Sequence, residues 1–196
     1  GRLVAGDAGL AEQLPRLLQV KGWSAEQEDR LVALYAAHQE RLIEKQRQAG
    51  RTNEASRLAR QATPLPDTLS TPRQRSLAQA RLFMAAAEYA DAAQLLKPLA
   101  SAQPDDLSVR MALADTLSRL QDTGDRQAAA NEADWLKDRI PSSDVGQQLA
   151  LLRIWQRIGR MDEARALATR LLDRFPQDSD VLLHAARLER ANEERA

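Results

Sequence analysis

The chain has 196 residues, with 28 basic and 28 acidic side chains, a formal net charge of zero and no cysteine. The balanced charge argues against general nucleic-acid binding, which usually needs a basic excess. The lack of cysteine excludes disulfides, thiol catalysis and thiolate metal sites. The longest apolar runs are only a few residues, so we expect no membrane insertion by this chain.

The composition favours helices throughout. Alanine, leucine, arginine, glutamine and glutamate are abundant, and all are good helix formers. Valine, isoleucine, phenylalanine and tyrosine, which favour strands, are few. We therefore predict an all-α chain. Residues 1–10 resemble the end of an element already begun, so we expect a piece of a larger protein whose targeting signals could have been removed.

The first third is predicted to contain one unusually long helix. After a helix over 8–21, Ser24 and Gln27 form a capping-box pattern that opens a helix over 24–49. Glu40 and Glu44 on this helix are expected to pair with neighbouring cations rather than to bind a cationic partner. A further helix is predicted over 54–62.

Three prolines then predict a rigid, extended connection over 63–72, which is the best candidate for a hinge or boundary. The predicted organisation is therefore divergent N-terminal helices over 1–62, the proline-rich connection over 63–72, and regular repeats with a C-terminal helix over 73–196.

The repeats are visible in the spacing of prolines. Pro104, Pro141 and Pro176 are 37 and 35 residues apart, and each precedes an Asp or Ser that can cap the next helix. Ahead of each proline lies a small turn residue, and the three aligned turn residues are Ala87, Gly124 and Gly159. An alanine follows five residues later in each case, at Ala92, Ala129 and Ala164.

This pattern resembles the tetratricopeptide repeat (TPR), a helix–turn–helix unit of 34 residues. The resemblance covers residues 72–194 and implies a right-handed α-solenoid of about five TPR-like helix pairs, with the first helices on a concave face. Two departures are expected to affect local geometry. Pro98 falls inside a predicted helix and should bend it, and Asp122 and Thr123 are interpreted as a small insertion before Gly124.

No catalytic constellation has suitable spacing. His38 and His184 are predicted to be surface or packing residues, and neither has a second metal ligand or a nucleophile nearby in the pattern. Trp135 and Trp155 fall at packing positions, so a core role is favoured over ligand stacking, while the role of Trp23 stays open. We predict no enzymatic activity, no cofactor and no metal.

The positions that usually face the concave groove in TPR proteins carry six arginines against two aspartates in this chain. A guanidinium group can donate two parallel hydrogen bonds to a carboxylate, so this row of arginines implies a groove for an acidic peptide or protein surface. The alternative is that arginine, with 24 of 196 residues, is simply the default surface residue. The predicted partner-binding residues are Arg81, Met84, Met111, Arg119, Arg153, Arg157, Arg187 and Arg190.

The arginine- and alanine-rich, cysteine-free, divergent repeats are similar to the periplasmic TPR scaffolds of bacterial exopolysaccharide export porins. The Pel type is the first candidate and the cellulose type the next, with residues 159–196 the most suggestive. The resemblance implies a non-catalytic scaffold, part of a larger outer-membrane protein, that recruits a periplasmic polysaccharide deacetylase or hydrolase for biofilm formation. The resemblance also implies a weak contact with the polysaccharide.

Two alternatives stay open at the level of the sequence. One is a cytoplasmic TPR adaptor that binds linear peptides in the groove. The other is an enzyme whose catalytic domain lies outside this chain. Direct glycan binding is less favoured, because the predicted concave positions contain no aromatic residue.

Overall fold

The structure, a computed structural model, describes residues 24–61 and 71–193, and within these ranges all regular structure is α-helical. The predicted all-α class is therefore confirmed. The helices of the described ranges are α1 (Ala25–Gln48), α2 (Thr52–Gln61), α3 (Pro72–Ala85), α4 (Tyr89–Ala102), α5 (Leu107–Leu117), α6 (Thr123–Lys137), α7 (Val145–Ile158), α8 (Met161–Arg174) and α9 (Ser179–Glu193).

These helices are four consecutive helix pairs followed by a last single helix, as the repeat pattern predicts. The long helix expected over 24–49 is α1, and the helix expected over 54–62 is α2. The predicted helix over 8–21, Trp23, and most of the proline-rich connection lie outside the described residues.

Side-chain caps fix where most of the helices begin. Ser24 and Gln27 form the predicted capping box of α1, and Thr71 and Gln74 form another at α3, with Pro72 in its first turn. A capping box satisfies two backbone N–H groups that have no partner inside the helix. The first turn is also where proline is best tolerated, because its missing N–H is not needed there.

The acidic turns after the prolines cap the helices that follow, as predicted. Asp106 accepts hydrogen bonds from the N–H groups of Ser108 and Val109, and Asp144 accepts one from Gln147. At the start of α9, Asp178 accepts hydrogen bonds from the backbone N–H groups of residues 180 and 181.

One interpretation of the sequence is wrong. Asp122 and Thr123 are not an insertion ahead of a turn at Gly124. Asp122 is the N-cap of α6, accepting hydrogen bonds from the N–H groups of Gly124 and Asp125, and Thr123 is the first residue of the helix. Gly124 therefore lies in the first helical turn. Pro98 lies inside α4, which continues on both sides of it.

The chain divides into two compact units, Gly1–Leu99 and Ala100–Ala196, with the division inside α4. In the first unit, α1 contacts α2 and α3, and α2 contacts α3. Their shared core is Ile43, Ala55, Ala59, Leu82 and Ala86. Alanines at these positions let the helix axes approach closely.

In the second unit each helix contacts its neighbour in sequence, and α7 also contacts both α5 and α9. This is the nearest-neighbour stacking of a helical repeat array. The largest side chain of the core is Trp155 on α7, which is 1% exposed. Ala129 and Ala164, the small residues that the repeat pattern places at close helix approaches, are fully buried, and so is Ala92 in the first unit.

Candidate protein-interaction surface

Five of the predicted partner-binding arginines lie in the second unit. Arg153 and Arg157 are on α7, Arg187 and Arg190 are on α9, and Arg119 directly follows the C-cap of α5. Since α7 contacts both α5 and α9, these three helices form one layer of the unit. We call these five side chains the arginine surface.

Asp115 on α5 neutralises two of them. Arg157 Nη1 donates to Asp115 Oδ1 at 2.5 Å, and Arg119 Nε donates to Asp115 Oδ2 at 3.2 Å. Arg157 Nη1 also lies 3.3 Å from Ser118 Oγ. The bonds of Arg157 connect α7 to the end of α5, so Arg157 contributes to the stacking of successive repeats, whereas the Arg119 bond lies at the end of α5 itself.

Arg153 and Arg187 have a different environment. Both are exposed, and neither forms an ion pair with any residue that the structure describes. His184 on α9 lies close to both, and its pKa is lowered from the ordinary value of 6.5. Burial is the main cause, and the positive charges of Arg153 and Arg187 lower the pKa further, while Asp180 opposes them. The two arginines are therefore cations of this surface whose charge is not neutralised by an acid in the described ranges.

An apolar side chain accompanies these cations. Leu183 is 47% exposed and lies four residues before Arg187 on α9, so the two share a helix face. A surface that combines an exposed leucine with unpaired guanidinium groups can contact an apolar side chain and a carboxylate of the same partner.

The other predicted site residues are less available. Met111 is partly buried and packs against the core of the second unit. In the first unit Met84 is partly buried, and Arg81 is exposed near the half-buried Glu40. Burial raises the pKa of Glu40, and the charge of Arg81 partly offsets this.

The long helix α1 borders an open cavity of about 470 Å³ in the first unit. Its lining carries both signs of charge, from Glu40, Arg41, Glu44 and Lys45. Glu44 pairs with Arg47 at 2.5 Å and also accepts a hydrogen bond from Gln48, so the predicted pairing within this helix is confirmed for Glu44. Two acids and two cations in the lining give this cavity no clear preference for one sign of ligand.

Reasoning from sequence missed His184 as a part of the surface and Asp115 as its counter-charge. His184 stands three residues before Arg187, a spacing that places both on one side of a helix and could have signalled their proximity. The pairing of Asp115 with Arg157 joins residues 42 apart, and no local spacing indicates it.

Trp135 and Trp155 lie where the packing pattern predicts. Trp155 is in the core, and Trp135 packs against this core. The guanidinium carbons of Arg110 and Arg139 lie over the Trp135 ring, 4.5 and 4.2 Å from its centre. Arg110 also forms a half-buried ion pair with Glu132 at 2.8 Å.

The described ranges contain no group of three or more His, Asp and Glu side chains that could hold a metal ion. Among the same residues, no helix has both the length and the apolar character that a membrane crossing requires.

No protein-family model matches the chain, and no curated protein matches it significantly. Among solved structures, it is similar to a mutant of MamA, with 17% identity, a TM-score of 0.48, and coverage of 82% of this chain and 90% of that one. It is also similar to MamA AMB-1, with 17% identity, a TM-score of 0.47, and coverage of 82% and 84%.

Proposed function

We propose that this chain is a protein-interaction scaffold that binds an acidic protein segment on its arginine surface. One observation carries the proposal. Arg153 and Arg187 remain exposed and without an acid partner in the described chain, whereas Asp115 neutralises the neighbouring Arg119 and Arg157. Leu183 adds an apolar contact beside them.

The proposed role is non-catalytic. Guanidinium groups stay protonated at any physiological pH, so they bind and orient anions but cannot exchange protons as general acids or bases. Their planar donors favour bidentate contacts with carboxylates, which are the acidic groups of an unmodified protein partner.

The proposed setting is the periplasm, where the chain forms part of a larger outer-membrane protein in exopolysaccharide export of the Pel or cellulose type. The proposed partner is a polysaccharide deacetylase or hydrolase. The support for this setting is the resemblance of the arginine- and alanine-rich, cysteine-free repeats, above all residues 159–196, to the scaffolds of such porins. We favour a protein over the polymer as the ligand of the arginine surface, because the arginine side chains would repel a cationic polysaccharide.

The experiment compares retention of periplasmic proteins by three immobilised forms of the chain. They are the wild type, the variant R153E/R187E, and the control R126E/R165E, which makes the same charge change outside the arginine surface. Retained proteins are identified by mass spectrometry, and folding is checked by far-UV circular dichroism. We expect the wild type and the control to retain a polysaccharide deacetylase or hydrolase and R153E/R187E to lose it.

Other outcomes separate the parts of the proposal. Equal retention by all three forms would contradict the arginine surface as the docking site. Retention only of cytoplasmic proteins carrying linear acidic segments, in a parallel cytoplasmic extract, would favour the peptide-binding adaptor. A bound partner that resists high salt would contradict an electrostatic contact at exposed residues.

A further inference from the structure

His184 lies where α9 packs against α7, beside the exposed cations of the arginine surface. On α9 it stands three residues after the buried Val181 and four residues before the buried Leu188, so it belongs to the stripe of this helix that faces the core. The His184 side chain is itself only half-buried. Part of the imidazole is therefore open to a ligand that binds on the arginine surface.

Three charged side chains act on this imidazole. Burial lowers the pKa of His184 most, and the positive charges of Arg153 on α7 and Arg187 on α9 lower it further. Asp180, four residues earlier on α9, has the smallest effect and raises the pKa. No charged side chain of α8, the other helix packed against α9, is among the described groups that act on His184. The fold therefore favours the neutral imidazole next to two cations.

The imidazole also has hydrogen-bonding capacity that the described chain does not use. His184 forms no hydrogen bond with any residue that the structure describes. A neutral imidazole has one N–H donor, whereas a protonated imidazole donates from both ring nitrogens. Burial and the two guanidinium charges disfavour the protonated form in the free protein, and a bound carboxylate offsets the second of these causes.

We propose that His184 is a further anion-binding group of the arginine surface and that it takes up a proton when an acidic partner binds there. The inference rests on the proposed function, because the partner's carboxylates supply the negative charge. Once Arg153 and Arg187 hold a carboxylate, the imidazolium N–H groups can donate to the same partner. The proton and the partner then each raise the affinity of the protein for the other, as linkage requires.

The consequence is binding that strengthens as the pH falls. Above the pKa of His184 in the complex, the imidazole is neutral with or without the partner, and below its pKa in the free protein it is charged in both states. Between these two limits binding takes up a proton, so the affinity rises as the pH falls. Since the pKa in the free protein is lowered from 6.5, this window extends below 6.5.

Isothermal titration calorimetry with acetylated hexaglutamate measures this proton. At about pH 6 most of the probe's carboxylates are still ionised. Each titration is done at low salt in MES and in bis-tris buffer, because the difference between their ionisation enthalpies converts the measured heats into a number of protons. For the wild type we expect an uptake of about 0.2–0.6 proton per bound probe, and an affinity that rises about two- to fivefold between about pH 7.5 and about pH 5.5.

Two matched histidine variants assign the proton. H184Q is expected to lose the uptake and the rise in affinity, because glutamine does not titrate in this range, and the protons that it still exchanges belong to the probe. His38 lies on α1 in the first unit, and its Nε2 is buried without a hydrogen-bond partner. H38Q removes a histidine away from the arginine surface and is expected to match the wild type. Circular dichroism confirms that each variant is folded.

The outcomes separate this inference from the proposed function. Equal proton uptake by the wild type and H184Q, or loss of the uptake in H38Q, would overturn the role of His184 and leave the arginine surface as the docking site. The variant R153E/R187E tests that surface, and we expect it to lose the probe. Equal binding of the probe by this variant and the wild type, or binding by neither, would overturn the proposed function and this inference with it.

Discussion

Ala87 and Gly159 occupy equivalent turns between the two helices of their repeats, and both adopt left-handed backbone, with φ of +65° and +87°. Glycine reaches this region without strain, whereas a side chain with a Cβ costs about 1–2 kcal/mol there. The sequence alignment that equates these two residues is therefore correct at the level of the backbone. The third aligned residue, Gly124, is helical, because Asp122 caps α6 two residues earlier.

Exchanging these residues tests the strain. Ala87→Gly is expected to raise the free energy of unfolding by about 0.5–1 kcal/mol, since the relief of strain exceeds the entropy that glycine adds to the unfolded chain. Gly159→Ala is expected to lower it by about 1 kcal/mol, and a Cβ there meets no atom within 4 Å, so only the backbone is affected. Urea denaturation measures both, and a loss of stability in Ala87→Gly would contradict the assignment.

His184 reports on the charges of the arginine surface. Its pKa lies below 6.5 because of burial first and the charges of Arg153 and Arg187 second. The neutral form is therefore favoured by the fold. As the pH falls through 6.5 towards the lowered pKa, the unfolded chain binds the proton first, so stability falls over that window.

Arg153→Gln is expected to raise the pKa of His184 while leaving it below 6.5, because the burial that lowers it remains. An NMR titration follows the imidazole signals, and His38→Gln assigns them, since the chain has only two histidines. Arg165→Gln is the control and should not move the signal. An unchanged pKa in Arg153→Gln would show that the arginine lies away from His184 in solution.

At the scale of the helices, the acidic N-caps explain where several of the helices begin. Asp106, Asp122 and Asp144 each accept hydrogen bonds from N–H groups in the first turn of the following helix. We expect replacement of each by alanine to cost about 1 kcal/mol, and replacement by asparagine to cost much less. Asp138, which ends α6 and accepts no such bond, is the control. Thermal unfolding of the four alanine variants checks this, and equal effects at all four would contradict a capping role.

Most of the helical order follows from sequence because its causes are local. Caps, proline spacing and buried alanines such as Ala129 and Ala164 act within one repeat or between adjacent helices, and each has a recognisable pattern. The capping role of Asp122 was not predicted, because an N-cap and an inserted loop residue cannot be distinguished in the sequence when the repeat length differs from 34 residues. The predicted boundary over 63–72 stays a prediction, whereas the compact units meet within α4.

For the molecule as a whole, the sequence predicted which arginines gather on one layer but not which of them are available. The concave positions of the repeat place Arg119, Arg153 and Arg157 together, which is a property of periodicity. The neutralisation of Arg157 depends on Asp115 on α5, a contact between residues that are 42 apart.

Because Asp115 pairs with arginines of this surface, the substitution Asp115→Asn tests whether the arginine surface binds an acidic partner. The substitution removes the carboxylate that pairs with Arg157, so the Arg157 guanidinium becomes available to a partner. An acidic probe, acetylated hexaglutamate, is expected to bind more tightly by about three- to tenfold at low salt, and the gain should shrink as salt is added. The same change should lower the free energy of unfolding by about 1 kcal/mol, because half-exposed ion pairs contribute little.

Asp138→Asn, with the same charge change at the end of α6, controls for net charge. Isothermal titration calorimetry measures the affinity. Equal gains in the two variants would show that the probe responds to total charge and not to this surface, whereas a gain confined to Asp115→Asn identifies the arginine surface as the place where an acidic partner docks.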